Sequence, residues 1–168
     1  YAYGLEAVYN IKNRSREGSN FWTLQANASA AISLGNTTVV QPAAYVRLLF
    51  GESVPFVYGN NIGGYLAGRY TRQQIPFVGL TGCEFTERQL AVLRVDLRQQ
   101  LTSDLYLSGI VNYAHCSDEL SQAFEGHGIW GFGGGLVYST TVGPFSLYAH
   151  WNDMHHRFGA YFSFGYEF

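Results

Sequence analysis

Ser146, His150 and Asn152 share one side of an alternating run near the end of the chain. On paper they offer a nucleophile, a base and an orienting group. Four residues at strand rise, however, separate Ser146 from His150 by about 13 Å, against the roughly 3 Å of a working nucleophile–base contact. They read as polar side chains of one strand face, and no catalytic residue is assigned. His115, His127, His155 and His156 lie near Asp118 and Asp153 in sequence, and imidazole with carboxylate is transition-metal chemistry. No short paired-ligand spacing organises them, and adjacent His155 and His156 project apart, so no metal or other cofactor is expected. Gly131, Gly133, Gly134 and Gly135 precede no helical pattern, which excludes a phosphate cradle. In a strand they permit curvature or the approach of another segment. Cys83 and Cys116 are too few for a disulfide framework and match no zinc spacing. Both are expected in loops flanking consecutive strands, so a Cys83–Cys116 disulfide stands as a candidate beside two separate thiols.

The elements that must position these residues are strands. Of the 168 residues 13% are charged, about half the usual ~25%, and 17% are aromatic. No apolar run approaches the ~18 residues of a membrane-spanning helix. A net charge of -2 leaves no basic footprint for nucleic acid, and 47% hydrophobic content excludes disorder. Alternation is clearest where Trp22, Leu24, Ala26, Ala28, Ala30, Ile32 and Leu34 oppose Thr23, Gln25, Asn27, Ser29 and Ser33. Similar runs lie near residues 1–12, 40–50, 91–98, 105–113, 130–138, 145–152 and 157–168, with a less regular one at 55–64, making nine strands. Glu6, Lys12, Arg47, Arg94, Asp96, Arg98, Arg157 and Glu167 all fall on the polar faces. Tyr and Trp cluster near the ends of the apolar faces, as interfacial girdles do. A soluble sandwich would carry more outward Lys and Glu, and this chain has one Lys. The fold expected is therefore an all-β, antiparallel transmembrane barrel facing outer-membrane lipid, with residues 1–168 as one domain. Pro42 predicts a bulge or break in its ladder.

Nine is an odd number where single-chain bacterial barrels are even, and the first residue already lies in a strand. The chain is accordingly expected to be the C-terminal portion of a longer exported protein. Short links near residues 100–103 and 140–143 should face the periplasm. Long ones at 65–87, 116–127 and 153–156 should then lie outside.

The run Gly63-Gly64-Tyr65-Leu66-Ala67-Gly68-Arg69-Tyr70, continued through Gln73-Gln74-Ile75-Pro76-Phe77-Val78-Gly79, carries a family resemblance. With Arg94-Val95-Asp96-Leu97-Arg98 and residues 161–168, it resembles the surface-antigen barrels of outer-membrane assembly and secretion proteins. That resemblance implies sixteen strands and a long extracellular loop folded into the lumen, presenting an Arg-Gly-aromatic motif to acidic strand residues. Here the order is Gly68-Arg69-Tyr70. The chain is most similar to the C-terminal barrel of bacterial patatin-like phospholipases, the type Vd autotransporters, and would supply about nine of the sixteen strands. The lipase motifs of that family are absent, so any hydrolase would belong to a fused upstream domain. The resemblance implies that the barrel anchors, and in one reading translocates, that domain. An insertase or secretion pore of the same superfamily, and a stand-alone small barrel acting as adhesin or pore, are the alternatives.

Three residue-level expectations accompany it. Phe164, Tyr166 and Phe168 resemble a terminal signal read by the barrel-assembly machinery. Arg69 is matched to the loop arginine and Asp96 to its lumenal partner, the alternative being that Asp96 pairs with Arg94 or Arg98 along its own strand. The partners implied are lipid, the assembly machinery and the fused domains, with a homo-oligomer left open and nucleic acid excluded.

Overall fold

Alternating residues form a single antiparallel meander in the structure, a computed structural model that describes residues 2–10, 21–51, 54–64, 73–119 and 126–165. Its strands are β1 (Ala2–Asn10), β2 (Phe21–Ser29), β3 (Ile32–Leu34), β4 (Thr38–Gly51), β8 (Gln89–Gln100), β9 (Leu105–Ser117), β10 (His127–Thr140), β11 (Gly143–Asn152) and β12 (Phe158–Phe164). Between β4 and β8 lie three two-residue strands, β5 (Asn61–Ile62), β6 (Gln74–Ile75) and β7 (Glu84–Phe85), which form a separate small sheet. The large sheet runs β1-β2-β4-β8-β9-β10-β11-β12, with β3 also beside β4. It is not closed among the described residues, and β1 and β12 are its edges.

Among the described residues the wall has eight staves where the sequence reading counted nine. β2 and β3 both pair with β4 in one unbroken register and are two halves of one stave. Residues 55–64 leave the wall altogether. They form a single 3-10 turn, Phe56–Tyr58, and then β5, because Asn60, Asn61 and Ile62 are all buried and offer no face to lipid.

Pro42 explains the gap between β2 and β3. The Ala30 N–H donates to the Pro42 carbonyl at 3.1 Å, but proline has no N–H to return the bond. The ladder lapses opposite Pro42, at Ala30 and Ala31, while β4 continues and keeps full register with β8. The expected break is real, lies in the neighbouring strand, and adds no bulged residue.

Period two sorts the side chains. Leu93, 60% exposed, Phe162, 63% exposed, and Val111, Phe132, Leu136 and Leu147 point outward. Arg47, Arg94, Ser108, Asn112, His150 and Asn152 point inward and are buried. Trp22 stacks on Phe50 at 4.1 Å, and Trp130 lies between Tyr113 and Phe132, forming an aromatic band towards one end of the sheet. Tight links at 35–37, 101–104 and 141–142 close one end, and the longer connections lie at the other.

The core lies inside the curved wall. Ile62, Ile75, Phe77 and Leu80 from the inserted segment pack on Leu90, Val92, Ala114, Cys116 and Ile129 from β8, β9 and β10. A second cluster joins Val78 to Ile110 and Tyr148. The wall is thus apolar on both faces where the insertion lies, through Leu90-Ala91-Val92-Leu93 and Ile110-Val111.

Candidate functional site

The insertion begins where β4 releases it. Buried Arg47 donates to the Tyr58 carbonyl at 3.2 Å and to the side-chain oxygen of Asn60. Asn60 in turn donates to the carbonyls of Glu87 at 2.9 Å and Arg88 at 2.8 Å, and its own carbonyl accepts from the Thr86 N–H. One asparagine therefore ties the start of the insertion to its end. Within it, β5 pairs with β6 in parallel and with β7 antiparallel, and Gly64 bridges Phe77. Gly63 takes φ 140° against the Gly82 carbonyl, where a Cβ has no room.

The tip of this platform, Val78-Gly79-Leu80, is held by the wall through its backbone. Asn112 of β9 accepts from the Val78 N–H at 2.9 Å and donates to the Val78 carbonyl at 2.8 Å. The Gly79 carbonyl accepts from Asn152 at 2.6 Å and lies 3.0 Å from Nδ1 of His150, both on β11. Tyr161 of β12 donates to the Leu80 carbonyl at 2.6 Å, and its ring stacks on His150 at 4.2 Å. Side chains of β9, β11 and β12 thus hold the backbone of three successive residues, Val78, Gly79 and Leu80. The floor beneath is glycine: a Cβ at Gly131 would collide with the Val78 carbonyl and Phe77, and one at Gly133 with the Val78 side chain. These glycines admit the approaching segment, one of the two roles their sequence allows.

The other residues with chemical potential are placed as follows. Asp96 gives both oxygens to Arg94 of its own strand, at 2.7 and 2.9 Å. Gly68, Arg69 and Tyr70 lie outside the described residues, as do Tyr166 and Phe168; Phe164 is exposed on the outer face of β12 beside Phe145. Cys83 and Cys116 are both free thiols, so the candidate disulfide is not formed. The reason is that β9 extends through Ser117, which buries Cys116 in the lumenal cluster instead of leaving it in a loop. Burial, with Glu84 adding, pushes the half-exposed Cys83 thiol above its ordinary value. His155 approaches Glu84 at 3.5 Å, whereas His156 turns towards Trp151, so the pair does diverge. His127 meets Glu87 at 3.3 Å. Among the described residues no three His, Cys, Asp or Glu side chains gather as metal ligands do.

Sequence reasoning placed Arg47, His150 and Asn152 on polar strand faces but gave them no shared task, and it did not single out Asn112. The pointer was the lapse of alternation at Leu90–Leu93 and Ile110–Val111, which marks a wall covered on its inner side too. The arrangement can bind and orient a polypeptide backbone, and it brings no nucleophile together with a base. A family model described as the OMP85 superfamily matches residues 3–168. No curated protein matches the chain.

Proposed function

The chain belongs to the OMP85 superfamily, and from that premise we propose that it anchors and translocates a polypeptide domain fused upstream of it, a patatin-like lipase by its resemblance. Membership makes it an outer-membrane barrel of the assembly and secretion type, whose barrel domain is not itself catalytic. The observation that carries the reading is the row of Asn112, His150, Asn152 and Tyr161, which grips backbone groups rather than side chains. A lumen able to hold extended backbone without regard to sequence suits a conduit for unrelated polypeptide. In this reading the long connections face the exterior, and Arg69 pairs with Asp96 in the lumen. The residues ending in Phe168 serve as the signal for barrel assembly.

The test is the native protein. Its intact mass should far exceed the 18.7 kDa of this chain, with a lipase-type domain ahead of the barrel that becomes protease-accessible at the cell surface. Tandem periplasmic modules in place of a lipase would move the assignment to an insertase or secretion pore. A mass near that of the chain would leave a stand-alone barrel. In a double-mutant cycle, Arg69→Ala and Asp96→Asn should lose stability non-additively if the two side chains meet.

A further inference from the structure

The outward face of the wall is hollowed by an apolar groove of about 450 Å³ that crosses β9, β10 and β11. Gly109, Gly134 and Ala149 stand side by side in one register row and form its floor. The next row towards the long connections, Val111, Phe132, Trp151 and Phe158, makes a tall bank. Val95 and Leu97 of β8 close one end. Two features set this hollow apart from ordinary unevenness.

The first is that its glycines serve nothing inside the protein. Neither Gly109 nor Gly134 has a left-handed φ, and the register through both is unbroken. A Cβ at Gly109 would meet no atom within 4 Å, and one at Gly134 only the Ser108 carbonyl at 3.7 Å. Gly131 and Gly133, by contrast, make room for the insertion. Glycine weakens a strand interior, and where no bulge or bend needs it, it marks the close approach of another molecule. Here that approach is from the lipid side, because Gly109 and Gly134 share the outward face of Val111, Phe132 and Leu136.

The second is that the groove selects its occupant. Its outward side chains are all apolar, and the strands beneath are paired on both sides, so a polar group would find no partner. The rows two residues either side of the floor stand about 14 Å apart. Their side chains take up much of that span and leave the width of a hydrocarbon chain, whereas a helix needs about 10–12 Å. The row towards the tight turns is Leu107, Leu136 and Leu147, shorter than the aromatic bank and outside the lining, so the groove opens on that side. The groove is also continuous with the wall that faces lipid, and left empty it would forfeit the dispersion contacts of its lining.

We propose that this groove holds one acyl chain of a phospholipid, entering from the leaflet at the tight-turn end, as a resident lipid distinct from the exchanging annulus. The strands tilt by about 35–45° and the groove crosses them, so the chain lies oblique to its neighbours in the bilayer. Contacts with Phe132 and Trp151 replace those it loses to other chains. The inference needs only the folded barrel and is independent of any fused domain.

The full-length protein is placed in phospholipid nanodiscs containing a phosphatidylethanolamine with a diazirine midway along one chain. After irradiation, adducts are mapped by peptide mass. They should concentrate on Val111, Phe132 and Trp151 over Leu93 and Val46, which are outward but beyond the groove. Gly109→Leu fills the floor and should lower the groove adducts about tenfold, the worth of roughly two buried methylenes, while leaving those at Leu93 unchanged. In intact outer membranes, Phe132→p-benzoylphenylalanine should give on photolysis a product heavier by one phospholipid. Adducts spread evenly over the outward face, or groove adducts that Gly109→Leu leaves unchanged, would overturn the proposal. So would a cross-link from position 132 to another protein, a second copy of the chain or lipid A. Should Gly109→Leu fail to give the heat-modifiable band of a folded barrel, Gly134→Leu fills the same floor and decides instead.

Discussion

Asn112 does for Val78 what a neighbouring strand would do, returning one bond to the N–H and one to the carbonyl. Both peptide groups are deep in the lumen, where water cannot replace the side chain. Asn112→Ala leaves a buried donor and a buried acceptor unmet, each worth about 1–3 kcal/mol. The variant should lose on the order of 2–4 kcal/mol in urea unfolding and be cleaved faster within residues 73–88 by added protease. Unchanged cleavage would mean that the apolar contacts of Phe77 and Val78 hold the insertion without the clamp. Cys83 offers a second residue-scale check. Its thiol is held above the ordinary range first by burial and then by Glu84, and the thiolate is the species that alkylates. At pH 8 it should react with iodoacetamide more slowly than free cysteine, and its rate should still be rising above pH 9. Glu84→Gln should recover only the smaller part of the difference.

Elements depend on single positions of a different kind. β10 owes its role to residues it lacks, since Gly131 and Gly133 leave the depth in which Phe77 and Val78 lie. Gly131→Ala should displace the insertion and destabilise the barrel by about 1–3 kcal/mol, as overpacking does. Gly134→Ala is the internal control: its Cβ would meet only the Ser108 carbonyl, at an ordinary 3.7 Å, so it should behave as the parent protein. Equal effects of the two would assign the glycines to sheet curvature alone. In β4, Pro42→Ala supplies the missing donor opposite Ala30. The new amide should become protected from hydrogen exchange. Net stability should move by less than about 1 kcal/mol, because one added bond is offset by a freer unfolded chain.

At the scale of the whole molecule, the curved sheet separates two environments that both exclude water from apolar side chains. Outside, Leu97 of β8 pairs with Gly109, which faces Gly134 at the middle of β10, placing Leu97 near mid-depth in the bilayer. Leu97→Arg should cost about 2–4 kcal/mol in folding into lipid vesicles. Gln41→Arg on the inner face of β4, across from Asp96, should change stability by no more than about 0.5 kcal/mol. A similar penalty at both positions would contradict the assignment of faces. Inside, the insertion converts what would be an open lumen into a packed core at one end of the sheet. That core holds Arg47 and Arg94 within hydrogen-bonding reach of polar partners.

Period-two alternation and the sorting of charge by themselves determined the antiparallel wall, its two faces and its regular staves, but they also admitted residues 55–64 as a stave that the wall does not contain. These are local properties: a strand exposes alternate residues to different surroundings, and a charge cannot face lipid cheaply. Pro42 likewise announced a break, because its missing N–H is written in the residue itself. Only the tertiary structure decided where residues 54–64 and 73–88 lie, since their apolar residues follow no period and are satisfied by strands distant in sequence. It decided that the break falls in the partner of Pro42's strand, because a hydrogen bond has two ends. It also placed Cys116 in the core and brought Asn112, His150, Asn152 and Tyr161 onto one stretch of backbone. Those side chains come from separate strands, and their convergence depends on register and curvature, which no single segment encodes.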